Sequence, residues 1–200
     1  MSAFLGYLTI LIAIVSYSFY IHDVFGHKTK PHGFTWFTWA LLNTFIFYEQ
    51  VIHGGGPGAW VTGVAAIANT VIFFLAFKYG ERNITKLDWF CLVTALFALG
   101  IWWINSDAVL SVILACAVFV IGFIPTFRKS LHRAHEETAI TFALNSLKFL
   151  IALFALNAFT LTTALYPLVL FVVNGFFAIF LFTNQALIMR STKQHAHRKS

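Results

Sequence analysis

Residues 108–133 read AVLSVILACAVFVIGFIPTFRKSLHR; the stretch 108–127 carries no charge, and Arg128, Lys129 and Arg133 follow it directly. A hydrocarbon core about 30 Å thick takes roughly 20 helical residues, so the uncharged part has the length of one membrane crossing. Cytoplasmic connections keep the Lys and Arg residues, so the same stretch also says on which side it ends. The rest of the chain repeats this alternation.

Further apolar runs lie at about residues 3–21, 34–53, 59–77, 87–104, 138–157 and 161–187. Only helices satisfy their backbone polar groups within single segments this long and this apolar, which sets a barrel aside. Composition agrees: 60% of residues are hydrophobic, 10% are charged, and the 24 Phe residues alone outnumber all the Asp, Glu, Lys and Arg together. The opening Met1 to Tyr7 has no Lys or Arg and no small-residue cleavage site follows Ile21, so the first run is expected to stay in the protein.

Orientation follows from the connections. Lys28, Lys30, Lys78, Arg82, Lys86, Arg128, Lys129, Arg133, Arg190, Lys193, Arg198 and Lys199 fall after runs one, three and five or in the tail. The opposite connections, His53 to Pro57, Asn105 to Asp107 and Ala158 to Thr160, hold no Lys or Arg. The expectation is an all-α integral membrane protein of seven transmembrane helices, amino terminus outside and carboxyl terminus in the cytoplasm, in a bacterial inner membrane. Because the basic residues sit in short clusters and not on one extended face, the net charge of +6 does not imply nucleic-acid binding. Cys91 and Cys116 lie inside apolar runs, and no disulfide is predicted.

An internal repeat emerges when the first three helices are laid on the last three. Trp36-x-x-Trp39-x-x-x-Asn43 matches Thr138-x-x-Thr141-x-x-x-Asn145 at an offset of 102, and Asn69 matches Asn174 at an offset of 105. Three helices per unit with a fourth as spacer makes the units parallel in the membrane, a 3+1+3 architecture. The boundaries read as residues 1–80, the linker helix 81–106, residues 107–189 and a basic tail 190–200.

At about 1.5 Å per residue, Asn43 lies roughly 15 Å from the cytoplasmic end of its helix, and Asn69, Asn145 and Asn174 fall within a turn or two of that depth. An amide facing lipid is costly, so each is expected to face protein or a wet cavity. Interhelical hydrogen bonding is the plain reading. The functional one is a solute site where two amides from each half meet hydroxyl or amide groups of a neutral ligand.

Trp36, Trp39 and Asn43 share one helix face, and Trp39 is the candidate wall for a ring-bearing solute. Trp36, close to the membrane edge, suits an interfacial belt better than ligand contact, with gating as its functional alternative. Thr141, Asn145 and Lys148 form the matching stripe on helix six. Lys148 is the thirteenth basic residue and lies at mid-membrane, where a lysine normally pairs or works; Glu49, on the outer part of helix two, is one conceivable partner and an anionic ligand another. Pro125 is a candidate hinge near the inner end of helix five. The histidines sit almost wholly in loops and tail, and no hydrolase, kinase, dinucleotide or metal motif occurs, so no enzyme activity, cofactor or metal is expected.

These features resemble the superfamily of SWEET sugar transporters, PQ-loop lysosomal transporters, PnuC vitamin transporters and KDEL receptors. Trp36-x-x-Trp39-x-x-x-Asn43 is similar to the WxxWxxxN motif of the PnuC transporters, although there it sits in the second half, and Asn69 with Asn174 looks like the pocket asparagine pair of the SWEETs. No Pro-Gln dipeptide is present; Pro31-His32 and Pro125-Thr126 stand in roughly its places. The resemblance implies a transporter of a small polar solute, of vitamin, nucleoside or sugar type, working by alternating access without ATP. The alternative is a non-transporting receptor or sensor of the same fold. A retinal-type pigment fits poorly, because known pigments hold their lysine in the last helix. Expected partners are the solute and the lipid bilayer; a homo-oligomer stays open.

Overall fold

A computed structural model describes residues 1–104 and 107–197; Asn105 and Ser106, expected in an outer connection, and Arg198 and Lys199 of the basic tail lie outside the described residues. The described chain is helical: α1 (Ser2–Phe25), α2 (Gly33–Ile52), α3 (Trp60–Tyr79), α4 (Lys86–Ile104), α5 (Ala108–Arg133), α6 (Ala139–Ala155) and α7 (Leu161–His197). Short 3₁₀ turns, Gly56–Ala59 and Ala134–Glu136, lead into α3 and follow α5.

Local chemistry marks the ends. Asp107 caps α5, its carboxylate accepting from the Val109 and Leu110 N–H groups at 2.9 and 3.1 Å. The α2–α3 connection needs glycine, since Gly54 and Gly56 have φ of 75° and 58°. Two helices outrun their apolar cores. α5 continues to Arg133 and α7 to His197, because a helix needs satisfied backbone and tolerates polar side chains once beyond the hydrocarbon.

Among the described residues four helical stretches are long and apolar enough to cross a membrane: Ser2–Phe25, Gly56–Tyr79, Ala108–Glu136 and Leu161–Leu187. The helix Ala139–Ala155 is apolar and shorter. α2 has the length, but Trp36, Trp39, Asn43, Glu49 and Gln50 dilute its apolar character. Large apolar side chains such as Phe4, Leu11, Phe74, Phe97, Phe154 and Ile179 point outward, as expected of surfaces that meet hydrocarbon and not water.

Packing divides six of the helices into two sets. α3 touches both α1 and α2, and α7 touches both α5 and α6; across the sets α1 lies on α6 and α2 on α5. Exchanging one, two and three for five, six and seven maps this pattern onto itself. α4 packs on α5 and, more lightly, on α2.

The cross-set hydrogen bonds share this symmetry. Trp39 Nε1 donates to the Phe119 carbonyl at 3.3 Å, and Thr141 Oγ1 donates to the Ser16 carbonyl at 3.1 Å. The donors are 102 residues apart and the acceptors 103.

Candidate functional site

Asn43, Asn69, Asn145 and Asn174 line one cavity at the meeting of the two helix sets, together with Trp36, Trp39, Tyr17, Phe119 and Phe149. All four amides are buried. In this conformation the cavity is about 10 Å³, room for a single water at most.

The amides are used unequally. Asn43 and Asn174 each donate back to their own helix, to the Trp39 and Leu170 carbonyls, both at 2.8 Å. Asn145 Oδ1 accepts from Ser16 Oγ at 3.1 Å, tying it to α1. Among the described residues the Oδ1 atoms of Asn43 and Asn69 have no hydrogen-bond partner although both are buried. An unsatisfied buried acceptor is costly, so these two atoms suit a visiting donor.

The indoles form the wall. Trp39 stacks on Phe119, centroids 5.2 Å apart, and the missing side chain of Gly122 gives its ring room against α5. Trp36 is 1% exposed, which corrects the expectation of an interfacial belt. Its Nε1 donates to Tyr20 Oη at 3.2 Å, and the Tyr20 hydroxyl donates to Glu137 at 3.3 Å. A buried indole N–H needs such a partner, and the sequence pattern around Trp36 does not contain it.

The stripe on α6 is divided: Asn145 lines the cavity, and Thr141 and Lys148 do not. Thr141 bonds to α1 and does not line the cavity. Lys148 is fully buried, its Nζ 4.1 Å from the ring centroid of Tyr17 and 5.2 Å from that of Phe149. It does not pair with Glu49, which instead meets His53 at 3.4 Å one helical turn away. α6 packs its polar stripe on α1 just as α2 packs its own on α5, so helical spacing alone assigned too many stripe residues to the cavity. Pro125 is buried inside a continuous α5. Pro167, which the sequence reading passed over, has no N–H to offer the Thr163 carbonyl, and Gln50 Nε2 donates to that oxygen at 3.1 Å.

A second feature was invisible in the charge count. Residues read only as markers of orientation converge, with acidic partners, at one end of the bundle. Lys129, fully buried, meets the Glu137 carboxylate and donates to the Lys30 and Glu136 carbonyls at 2.6 and 3.2 Å. Lys30 pairs with Glu136 at 2.6 Å, Arg133 with Glu81 at 2.6 Å, and Arg128 with Asp88 at 2.8 Å. Several of these bonds join the first helix set to the second.

His32 lies inside this lattice, 3.5 Å from Asp88, and among the described residues neither ring nitrogen makes a hydrogen bond. Burial holds its pKa below the ordinary imidazole range; Asp88 pulls the other way, and the Lys129 and Arg128 charges add to the lowering. Glu81 sits below the usual carboxylate range: burial would raise it, but the Asn83 N–H and the Arg133 and Lys129 charges prevail.

No protein-family model, curated protein or solved structure matches this chain.

Proposed function

We propose that the protein is a membrane transporter for a small polar solute of vitamin, nucleoside or sugar type, working by alternating access without ATP. The reading takes all seven helices as spans in a 3+1+3 order, amino terminus outside and carboxyl terminus in the cytoplasm, in the manner of the SWEET, PQ-loop and PnuC transporters. One observation carries it: two amides from each helix set enclose one buried cavity in which two acceptor atoms lack partners.

Trp39, Asn43, Asn69, Asn145 and Asn174 contact the solute. Thr141 and Lys148 support it from behind the wall. Trp36 and Pro125 serve the gate. With room for at most one water, the cavity is in a closed state and must widen to load. Rocking one helix set against the other does this if the charged lattice at the basic end opens. That end faces the cytoplasm in this reading, since it collects Lys30, Arg128, Lys129 and Arg133.

The closed cavity and buried lattice also suit a receptor that signals through its cytoplasmic face and carries nothing across. Reconstituted vesicles separate the two. A transporter equilibrates a labelled solute from its class without nucleotide, and the flux falls in Asn43→Leu; a receptor binds the solute and gives no flux above empty vesicles.

A further inference from the structure

Lys148 has no counter-ion among the described residues. Its amine is fully buried and has no hydrogen-bond partner among the described residues. The chain has seven Asp and Glu residues to offer it. Each is engaged elsewhere. Asp23 accepts from the Thr138 hydroxyl at 2.9 Å, and Asp107 caps α5. Glu49 meets His53, Glu81 meets Arg133, Asp88 meets Arg128, Glu136 meets Lys30 and Glu137 meets Lys129. Among the described residues no ion pair reaches Lys148.

Ring faces cover the ammonium instead. An aromatic face attracts a cation through its quadrupole but carries no net charge, so an ammonium here has no counter-ion in a low-dielectric interior, and the amine is held as a cation only when an anion comes beside it. The two rings are those of Tyr17 and Phe149, and both are also walls of the amide cavity. Lys148 therefore stands one ring behind the cavity. A swing of Tyr17 would enlarge the space and open Lys148 to it in a single movement.

We infer that the solute of the amide cavity is a small organic anion, a hydroxy- or amido-carboxylate, whose carboxylate pairs with Lys148. This rests on the cavity being the solute site. The anionic end takes the position facing Lys148, and hydroxyl or amide N–H groups at the other end donate to the free Oδ1 atoms of Asn43 and Asn69. A neutral sugar would satisfy the amides and leave the Lys148 amine without a partner.

The test uses acids matched with their neutral counterparts: pantothenate against panthenol, and gluconate against glucose. Binding to the purified full chain is read by thermal shift in detergent and by calorimetry, with sodium chloride at equal ionic strength as a control arm. The expected result is that an acid binds at least tenfold more tightly than its neutral counterpart, that Lys148→Met removes this preference, and that Lys148→Arg keeps it. Equal binding of acid and counterpart, no binding of either acid, an unchanged preference in Lys148→Met, or a shift that chloride alone reproduces would overturn the inference. If Lys148→Met does not fold, the acid-to-neutral ratio on the parent decides alone. A neutral counterpart that binds as tightly as the acid and is lost in Asn43→Leu overturns the anion while leaving the transporter reading intact; a solute bound unchanged by Asn43→Leu removes the reading beneath it.

Discussion

Single side chains in the cavity differ in what they do for the fold and what is left over for a solute. Asn43 donates only within its own helix and its Oδ1 is unpartnered, so Asn43→Leu removes an orphaned acceptor and is expected to leave the melting temperature in detergent unchanged or slightly higher. Solute affinity in the same variant should fall by about ten- to hundredfold, the loss of roughly 1–3 kcal/mol, read by calorimetry. Asn145→Leu removes the Ser16–Asn145 bond but leaves the Ser16 hydroxyl donating to the Thr141 carbonyl at 3.0 Å, so stability should fall by no more than about 1 kcal/mol. His32 predicts a pH effect of definite sign. Its folded pKa lies below the unfolded value near 6.5, so its contribution is fully present above that value and is lost as pH falls toward the folded one. Melting curves from pH 8 to pH 5 should decline more steeply for the parent than for His32→Gln; parallel curves would count against a buried neutral imidazole. Of these distinctions the sequence carried the residue types and their spacing. It did not carry which amide is bonded, because that depends on Ser16, a residue 129 positions from Asn145 in the chain.

At the scale of elements, close approach sets the shape of the end whose connections hold no Lys or Arg. A Cβ on Gly58 would come within 2.7 Å of Leu156 Cδ2 and 2.8 Å of the Ala152 carbonyl, and backbone cannot move aside as a flexible side chain can. Gly58→Ala should therefore push the α2–α3 connection away from α6 and lower stability by about 1–3 kcal/mol, measured by thermal unfolding in detergent. The sequence shows a glycine-rich turn there, but the partner that makes Gly58 necessary belongs to another helix set. Helix positions were readable throughout, because an apolar run of spanning length leaves few other states open. Ends were less so. The apolar run that stops at Phe127 belongs to a helix that continues to Arg133, since hydropathy records where hydrocarbon ends and backbone hydrogen bonding records where the helix ends. The face of α6 was misjudged for a related reason: a stripe at helical spacing says which residues point the same way, not which neighbour they meet.

For the whole molecule, the two helix sets are joined at one end by charges and at the centre by the Ser16–Asn145 bond and aromatic rings. The Glu81–Arg133 pair crosses between the sets, so Glu81→Gln and Arg133→Gln are expected to be non-additive, with a coupling of about 0.5–3 kcal/mol in a double-mutant cycle of thermal stability. If the pair holds the basic end shut, each single variant should also raise the rate of solute entry from that side in vesicles, and unchanged rates would separate the lattice from the gate. The proposed orientation has its own check. A reporter fused after Ser200 and active only in the cytoplasm should be active, and a signal from the opposite side would reverse both the orientation and the helix count. The sequence alone determined what is periodic or additive along the chain: all-helical character, the number and rough limits of the helices, the split of basic residues between connections, and the spacing that relates Asn43 to Asn145 and Asn69 to Asn174. Hydropathy and charge act residue by residue, so they can be read in order. Only the tertiary structure decided which buried groups meet. It turned markers of orientation into an ion-pair lattice, turned Trp36 inward, gave Glu49 to His53, and left Lys148 against Tyr17 with no ion pair among the described residues. Pairing in three dimensions joins residues more than a hundred positions apart, and neither composition nor periodicity specifies those partners.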